Sequence, residues 1–143
     1  MTVAAILRGK GRDVLTVQPS VTMRDAVALL AARGVGAVVV SDHTRHVLGI
    51  LSERDVVRAL GREGPHILDQ AVSEFMTAKV YSVTESTSIG EVMARMTEGR
   101  FRHVPVVEGG ALIGIISIGD VVKRQIDTLA HESEDLKAYI AAA

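Results

Sequence analysis

Two Ser-x-x-Asp segments are the strongest candidates for a functional role in this sequence. Ser52 to Asp55 and Ser117 to Asp120 each follow an apolar run typical of a β-strand. A hydroxyl followed three residues later by a carboxylate forms a capping box, which stabilises a helix start by about 1 kcal/mol. The same carboxylates can accept hydrogen bonds from sugar hydroxyls, and the free N–H groups of a helix start suit an anion. The spacing alone leaves both roles open.

Catalytic and metal-binding patterns are poorly represented. With zero Cys, the chain has no thiol nucleophile, disulfide or Cys-based zinc site. His43 and His46 have a metal-compatible spacing, but Asp42 is the one further ligand near them. Neither a P-loop nor a Gly-x-Ser-x-Gly motif occurs. We therefore expect no metal site, no catalytic cofactor and no enzyme activity.

The composition argues against several other classes of function. The 143 residues carry a net charge of −1 and are 3% aromatic, so neither a basic field nor a stacking platform favours nucleic acid. No apolar run approaches the roughly 20 residues that span a bilayer. The first charged residue, Arg8, follows the short apolar N-terminal stretch, whereas a signal peptide has its charge before such a stretch. We expect a cytoplasmic protein without a nucleic-acid or membrane partner.

An internal repeat organises the chain. Thr22 to Asp25 and Ser88 to Glu91 are helix-start patterns 66 residues apart, and the apolar positions after them match at the same offset. In both copies these positions run i, i+3, i+4, i+7, which predicts an amphipathic helix. The matching sets are Met23, Ala26, Val27 and Leu30 in the first copy, and Ile89, Val92, Met93 and Met96 in the second.

Two β-rich runs and a further helix follow each of these helices. Residues 35–40 and 47–51 match residues 101–106 and 112–116, and each second run leads into a Ser-x-x-Asp segment. Each copy therefore reads strand–helix–strand–strand–helix. The copies are joined by a linker predicted near 61–75.

The repeats set the predicted architecture. A unit of roughly 50 residues leaves an apolar sheet face uncovered, so packing two copies sheet to sheet would bury both faces. We predict a mixed α/β (α+β) fold with two pseudo-symmetric repeats and a C-terminal helix. The first repeat is assigned to residues 1–64, and the second, together with the C-terminal helix, to residues 65–143.

The C-terminal segment carries a separate pattern. Its apolar positions are spaced 4, 3, 4, 3 and 4 residues apart, which is an a/d heptad seam with one polar interruption. One interpretation is a helix that lies back on its own module, since three heptads are short for an autonomous coiled coil. The other is a contact in a homodimer. The seam positions are Val122, Ile126, Leu129, Ser133, Leu136 and Ile140.

Together these features resemble a tandem pair of CBS domains, often called a Bateman module, of the stand-alone bacterial type. The resemblance rests on the repeated unit, on the FRHVPVV run at 101–107, and on Gly-hydrophobic-hydrophobic-Ser-x-x-Asp at 49–55 and 114–120. It extends from about Val3 to Gln125. In the first copy Val39 occupies the position where the family commonly has Pro. This difference leaves the predicted fold unchanged and bears instead on the site that this strand helps to form.

The resemblance implies a regulatory module that is not a catalyst. Such pairs commonly bind AMP, ADP or ATP, and some bind NAD(H) or S-adenosylmethionine. This suits energy or redox sensing on behalf of an enzyme or transporter elsewhere. The family's two related sites lie in the cleft between the copies. Each combines the Ser-x-x-Asp helix start of one copy with the early strand and the His-x-Pro-type strand of the other.

Transferred residue by residue, the resemblance implies two nucleotide sites, named here site A and site B. Site A would use Ser52, Arg54, Asp55, Val80, Tyr81, Arg102, His103 and Pro105. Site B would use Ser117, Gly119, Asp120, Leu15, Thr16, Gly36 and Ala37.

Charge distinguishes the two predicted sites. Arg54 lies in a first helical turn, where a cation opposes the helix dipole by roughly 0.3–1 kcal/mol, a cost that a bound phosphate would offset. Arg102 and His103 add donors, so we expect site A to bind nucleotide more readily than site B. Lys10, Arg12 and Lys79 lie near the predicted strand starts and could supply the charge that site B lacks. The alternative is that these three side chains are simply solvated surface.

Other functions stay open from the sequence. A structural dimerisation module would use the heptads as its main contact and leave both clefts empty. An enzyme acting on a nucleotide would need Arg54, His103 and Asp120 to do chemistry, yet no nucleophile or metal cluster accompanies them. The first predicts a dimer without a nucleotide response, and the second predicts turnover.

Overall fold

Five α-helices and five β-strands follow one another along residues 1–142, the part of the chain that the computed structural model describes. Their order confirms the predicted helix, two strands and helix in both repeats, and adds a helix before the first. The elements are α1 (Val3–Lys10), β1 (Thr16–Val17), α2 (Met23–Arg33), β2 (Ala37–Ser41), β3 (Val47–Ser52), α3 (Glu53–Glu63), α4 (Ile89–Gly99), β4 (His103–Glu108), β5 (Ala111–Ser117) and α5 (Ile118–Ala142), with short 3-10 helices at Pro65–Asp69 and Val72–Glu74.

Two small sheets carry the repeats. In the first, β1 pairs parallel with β2, and β2 pairs antiparallel with β3. In the second, β4 pairs antiparallel with β5. The register shifts between Val40 and Ser41 in one sheet and between Val106 and Val107 in the other. Because these irregularities also lie 66 residues apart, the sequence repeat extends to the detail of the backbone.

The strand predicted to open the second repeat does not form as a full strand. It is reduced to a single parallel bridge between Val83 and Val106. The Val83 N–H donates to the Pro105 carbonyl at 3.0 Å. Alternate residues of a strand face its neighbour, so the next ladder donor would be the N–H of Glu85, and it donates instead to Glu108 Oε1 at 2.9 Å. A side-chain acceptor thus takes the donor that would have extended the ladder.

Three apolar clusters hold the molecule together. One lies inside each repeat, and the third joins the two sheets, which confirms the predicted packing of the copies. Strand β2 serves two of them, because Val38 faces the first-repeat core while Val39 faces the other sheet. The cluster between the sheets contains Ala37, Val39, Ile50 and Leu112, with Val14, Val47, Val80 and Ile115 packed against them.

Helix α1 is absent from the sequence prediction, which treats the N-terminus as a short apolar stretch. Val3 and Leu7 are 0% and 1% exposed in the core of the second repeat. The close approach of α1 to β5 depends on Gly114 in β5, where an added Cβ would lie 2.8 Å from Leu7 Cδ2. The N-terminal segment therefore completes a repeat that begins far later in the chain.

The segment between the repeats completes the first repeat in the corresponding way. Ile67 and Val72 are 0% exposed in the first-repeat core. Thr77 pairs with Ile50 at the edge of β3 through hydrogen bonds of 2.8 and 2.9 Å. An added Cβ at Gly49 would lie 2.7 Å from the Thr77 carbonyl oxygen. The linker predicted near 61–75 is thus a packed segment, and the division of the chain after residue 64 stays a prediction.

Helix α5, at 25 residues the longest, contacts the module only through its first turns. Val121 is 1% exposed, and Gln125 Nε2 lies 3.4 Å from Met93 Sδ. The apolar heptad positions, in contrast, are 47–64% exposed, so the seam does not lie back on its own module. Neither α5 nor any other helix within residues 1–142 is both long enough and apolar enough to cross a membrane.

Candidate functional site

The helix start at Ser52 is held by a reciprocal capping box. Ser52 Oγ accepts a hydrogen bond from the Asp55 N–H at 3.3 Å, and Asp55 Oδ2 accepts one from the Ser52 N–H at 2.9 Å. Asp55 Oδ1 accepts a further hydrogen bond from the Thr77 hydroxyl at 3.1 Å. The capping role is therefore confirmed. Thr77, which lies outside the predicted site, is brought to the carboxylate by its pairing with β3.

The helix start at Ser117 repeats this geometry with a different partner. Ser117 Oγ accepts from the Asp120 N–H at 3.1 Å, and Asp120 Oδ2 accepts from the Ser117 N–H at 2.8 Å. Lys10, the last residue of α1, donates from Nζ to Asp120 Oδ2 at 2.7 Å and to the Ile115 carbonyl at 3.0 Å. Burial alone would raise the pKa of Asp120, but the hydrogen bonds from Lys10 and Ser117 hold it below its usual value.

Thr77 and Lys10 reach their carboxylates by corresponding routes. Each lies in the segment before the first strand of one repeat and contacts the helix start of the other. The 66-residue offset places Lys10 opposite Met76, the neighbour of Thr77, so an alignment of the repeats already relates the two segments. That alignment is the signal by which Thr77 could have been found. The partner of Lys10 follows only from the packing of α1.

His103 lies at the boundary between the two repeats. An added Cβ at Gly36 would be 3.2 Å from His103 Cε1 and 3.8 Å from Glu53 Cδ, so the imidazole packs directly over Gly36. Burial lowers the pKa of His103, and the charge of Lys10 lowers it further, while Glu53 and Asp120 partly oppose this. The sequence places His103 in site A and Gly36 in site B, so the two predicted sites share a wall.

Each helix start is tied first to the strand of its own repeat. The Glu53 N–H donates to the Gly36 carbonyl at 2.9 Å, and the Ile118 N–H donates to the Arg102 carbonyl at 2.8 Å. The other repeat then reaches each start through side chains. The corresponding ladder pairs are Ala37 with Ser52 and His103 with Ser117.

Arg54 reaches across to the second repeat. Its Nη1 donates to the carbonyl of Arg100 at 2.7 Å. Arg100 is the C-cap of α4, with a φ of 55°, so the guanidinium meets the negative end of that helix. The cost of a cation in the first turn of α3, which suggested a bound anion from the sequence, is thus offset within the protein.

The neighbouring residues Val80 and Tyr81 face different clusters. Val80 packs between the sheets, whereas Tyr81 packs on the second-repeat core. The Tyr81 ring centre lies 6.0 Å from that of Phe101 and 5.3 Å from the guanidinium carbon of Arg95. These three side chains line a depression of about 220 Å³ on the second repeat alone. Tyr81 is therefore placed on a surface that the first repeat does not help to form.

The remaining predicted residues take part in the structure mainly through backbone hydrogen bonds and packing, and they carry no charge. The Leu15 carbonyl accepts from the Val39 N–H at 3.1 Å, and Thr16 pairs with Val39 in the β1–β2 ladder. Pro105 is buried in β4, and Gly119 is exposed in the first turn of α5. The charges between the repeats come instead from Lys10, Glu53, Arg102 and Asp120 around the imidazole of His103.

The metal-ligating residue types are dispersed along residues 1–142. That part of the chain contains no group of three His, Cys, Asp or Glu residues that could hold a metal ion. In the turn with His43 and His46, the Asp42 carboxylate accepts hydrogen bonds from Thr44 and from the His46 N–H. The arrangement between the repeats instead combines a carboxylate, an ammonium group and an imidazole, which can bind hydroxyl and anionic groups.

Comparison with protein families gives two matches in this chain. The model described as CBS domain matches residues 10–62 and 72–127. Among curated proteins, the mitochondrial CBS domain-containing protein CBSX3 of Arabidopsis thaliana is 33% identical over 147 aligned positions, which cover 97% of this chain and 71% of that protein.

Solved structures share the fold. The CBS-domain containing protein ATU1752 from Agrobacterium tumefaciens is 49% identical, with a TM-score of 0.85 over 87% of this chain and 99% of that one. The CBS domain protein PAE2072 from Pyrobaculum aerophilum, solved in complex with AMP, is 25% identical, with a TM-score of 0.74 over 84% of this chain and 89% of that one.

Proposed function

Because the chain belongs to the CBS-domain family, with two CBS repeats, we propose that it is a regulatory module that binds an adenine nucleotide between them. CBS domains are generally regulatory rather than catalytic. The ligand would be AMP, ADP or ATP, or NAD(H), held in site A, site B or both. The observation that carries the proposal is the polar cluster of Lys10, His103 and Asp120 against Gly36 of the other repeat.

The chemistry of this cluster fits the parts of a nucleotide. The Asp120 carboxylate can accept hydrogen bonds from the ribose hydroxyls, and the Lys10 ammonium can pair with a phosphate. The apolar side chains between the sheets, which include Val80 and Ile115, offer a surface for the adenine ring. The AMP complex of the similar protein PAE2072 supports an adenine nucleotide as the ligand.

Regulation would follow from the position of the ligand between repeats. A ligand shifts a conformational equilibrium only if it binds one state more tightly than the other. The wall that the two predicted sites share is a contact between repeats, His103 on Gly36. A nucleotide in contact with that wall would therefore favour one relative position of the repeats, which an enzyme or transporter could sense.

We further propose that the module is a homodimer through α5. The exposed seam includes Leu129 and Leu136, 63% and 59% exposed, while Val121 on another face of the helix is buried against the module. Helix α5 can thus pack against the module and still leave its apolar heptad positions exposed to a second copy of the chain. In a parallel pair, Glu132 at a g position lies near Lys137 at an e position of the partner, which is a favourable charge pairing.

A thermal-shift panel of AMP, ADP, ATP, NAD, NADH and S-adenosylmethionine tests the nucleotide proposal. A ligand at about 100 times its dissociation constant stabilises the fold by roughly 2.7 kcal/mol, a shift of several degrees in Tm for a chain of this size. We expect a selective rise with one adenine nucleotide. An Asp55→Asn/Asp120→Asn double variant should lose the shift, whereas Asp127→Asn, on the exposed part of α5, should keep it.

A flat panel, confirmed by calorimetry, would contradict the nucleotide proposal. It would favour a structural dimerisation module with empty clefts, for which the exposed α5 seam is the supporting observation. Turnover of a nucleotide in the same assays would instead contradict the expectation that the chain is not an enzyme.

A further inference from the structure

The two Ser-x-x-Asp helix starts have the same capping geometry but differ in charge. Asp55 receives a neutral hydroxyl, from Thr77, where Asp120 receives the ammonium of Lys10. Among residues 1–142, no cation lies within ion-pair distance of Asp55, whereas Lys10 Nζ lies 2.7 Å from Asp120 Oδ2. This difference in charge arises outside the Ser-x-x-Asp motif. It depends on which residue, Thr77 or Lys10, the segment before the first strand of the other repeat brings to the carboxylate.

Lys10 and Asp120 both keep capacity for a ligand. An ammonium group has three N–H donors, and Lys10 uses two within residues 1–142, for Asp120 Oδ2 and the Ile115 carbonyl. Asp120 accepts the hydrogen bonds from Lys10 and Ser117 at Oδ2 alone, so Oδ1 accepts none within the same residues. Both side chains are partly exposed, at 32% and 23%.

The cation that the sequence assigned to site A is committed elsewhere. Arg54 donates to the Arg100 carbonyl, and both oxygens of Asp55 accept hydrogen bonds from Ser52 or Thr77. A phosphate near either carboxylate meets a like charge unless a cation lies close by. Of the two helix starts, the one at Asp120 has that cation.

From this asymmetry we infer that Lys10 is the phosphate-binding residue of the Asp120 site, and that it makes this site selective for phosphorylated adenosine compounds over adenosine itself. The inference rests on the proposed nucleotide function and reverses the charge ranking expected from the sequence. Lys10 lies at the end of α1, outside both Ser-x-x-Asp motifs. Each motif therefore supplies a carboxylate that can accept from ribose hydroxyls, while the N-terminal helix supplies the selectivity for phosphate.

Isothermal titration calorimetry with adenosine, AMP and ADP tests the assignment. Lys10→Met introduces the residue that stands at the corresponding position 76 of the other repeat. We expect it to weaken AMP and ADP binding about tenfold or more and adenosine binding less than threefold, since only the phosphorylated ligands lose a charge-assisted contact. Lys10→Arg, which keeps the charge, should retain most of the preference for AMP over adenosine.

Lys79→Met is the matched control, because Lys79 is exposed and lies in the corresponding segment, just before the Val83 bridge of the second repeat. It should leave the ratio of AMP to adenosine affinity unchanged. Circular dichroism and thermal unfolding of Lys10→Met, with Lys10→Arg alongside, separate loss of binding from loss of fold.

Three outcomes would overturn the inference. An unchanged ratio of AMP to adenosine affinity in Lys10→Met would remove Lys10 from phosphate binding. An equal loss for adenosine and AMP would make Lys10 a residue that only supports the fold of the site. If none of the three compounds bound to the native chain, and ATP, NAD and NADH gave no thermal shift either, the nucleotide function itself would be contradicted, and this inference with it.

Discussion

The two Asp carboxylates illustrate, at the scale of single residues, how one group can hold a helix start and remain available to a ligand. Each accepts a hydrogen bond from the N–H of the Ser that begins its motif, at 2.9 Å for Asp55 and 2.8 Å for Asp120. A carboxylate has about four acceptor positions, so a cap does not exhaust it. The structural and ligand-binding roles, which compete as interpretations of the sequence, are therefore compatible in the folded chain.

His103 should make the stability of the protein depend on pH. Burial lowers its pKa, with Lys10 next in effect and Arg102 adding to it, against opposing effects of Glu53 and Asp120. Because the unfolded chain then binds the proton more tightly, the free energy of unfolding is highest above the ordinary His value of about 6.5 and falls as the pH drops through it towards the lowered pKa. His103→Gln should flatten this decline, measured by urea unfolding at pH 7.5, 6.5 and 5.5.

His66→Gln is the control for that measurement, since His66 is exposed in a 3-10 helix. It should leave the pH dependence of the native chain in place. A decline that is as steep in His103→Gln as in the native protein would assign the effect to other groups.

At the scale of elements, two glycines let neighbouring segments approach the sheets. Gly49 in β3 faces Thr77, and Gly114 in β5 faces Leu7 of α1. Both segments then deliver a polar residue to an Asp carboxylate, Thr77 to Asp55 in one case and Lys10 of α1 in the other. The glycine of the repeated motif is thus needed for the packing that completes each site.

The two glycines should differ in their tolerance of a methyl group. At Gly49 an added Cβ would lie 2.7 Å from the Thr77 backbone oxygen, whereas at Gly114 it would lie 2.8 Å from the flexible end of Leu7. We expect Gly49→Ala to lower the free energy of unfolding by about 1–3 kcal/mol and Gly114→Ala to lower it less, because a side chain can move more easily than a paired backbone. Urea unfolding of both variants measures this.

Gly61→Ala, within α3, has no atom within 4 Å of the added Cβ. As a control it should stabilise the protein by roughly 0.5–1 kcal/mol through helix propensity. If Gly114→Ala were as costly as Gly49→Ala, α1 would be held more rigidly than its side-chain contact indicates.

At the scale of the whole molecule, α5 determines the expected assembly. Ending the chain at Thr128 keeps the contacts of Val121 and Gln125 with the module but removes the exposed end of the seam. We expect the shortened chain to sediment as a monomer where the full chain sediments as a dimer. Leu136→Asp in the seam should act in the same direction, and Ala138→Asp, on the outer face of the heptad pattern, should not.

A shortened chain that remains dimeric would place the interface on the module itself. The apolar depression between α2 and α3 is the surface that such a result would indicate. It has a volume of about 470 Å³ and is bordered by Val35 and Val57, which are 38% and 68% exposed.

The repeated elements and the two capped helix starts can be recognised from the amino-acid pattern alone. Helix periodicity and a Ser-x-x-Asp cap depend on residues three or four positions apart, so they can be recognised without knowledge of the fold. The 66-residue offset then predicts the pairing of two such units, and the structure adds that the irregularities in their sheets correspond as well. The resemblance to CBS domains supplies the identity of the predicted site residues.

Which side chains contact those residues depends on how the chain packs in three dimensions. Lys10 and Asp120 are 110 positions apart, Arg54 and Arg100 are 46 apart, and Thr77 and Asp55 are 22 apart. The tertiary structure also places α1 in the second-repeat core and leaves the α5 seam exposed. Such contacts depend on how whole segments pack against the sheets. The charge of each site therefore follows from packing, whereas its capping motif follows from local spacing.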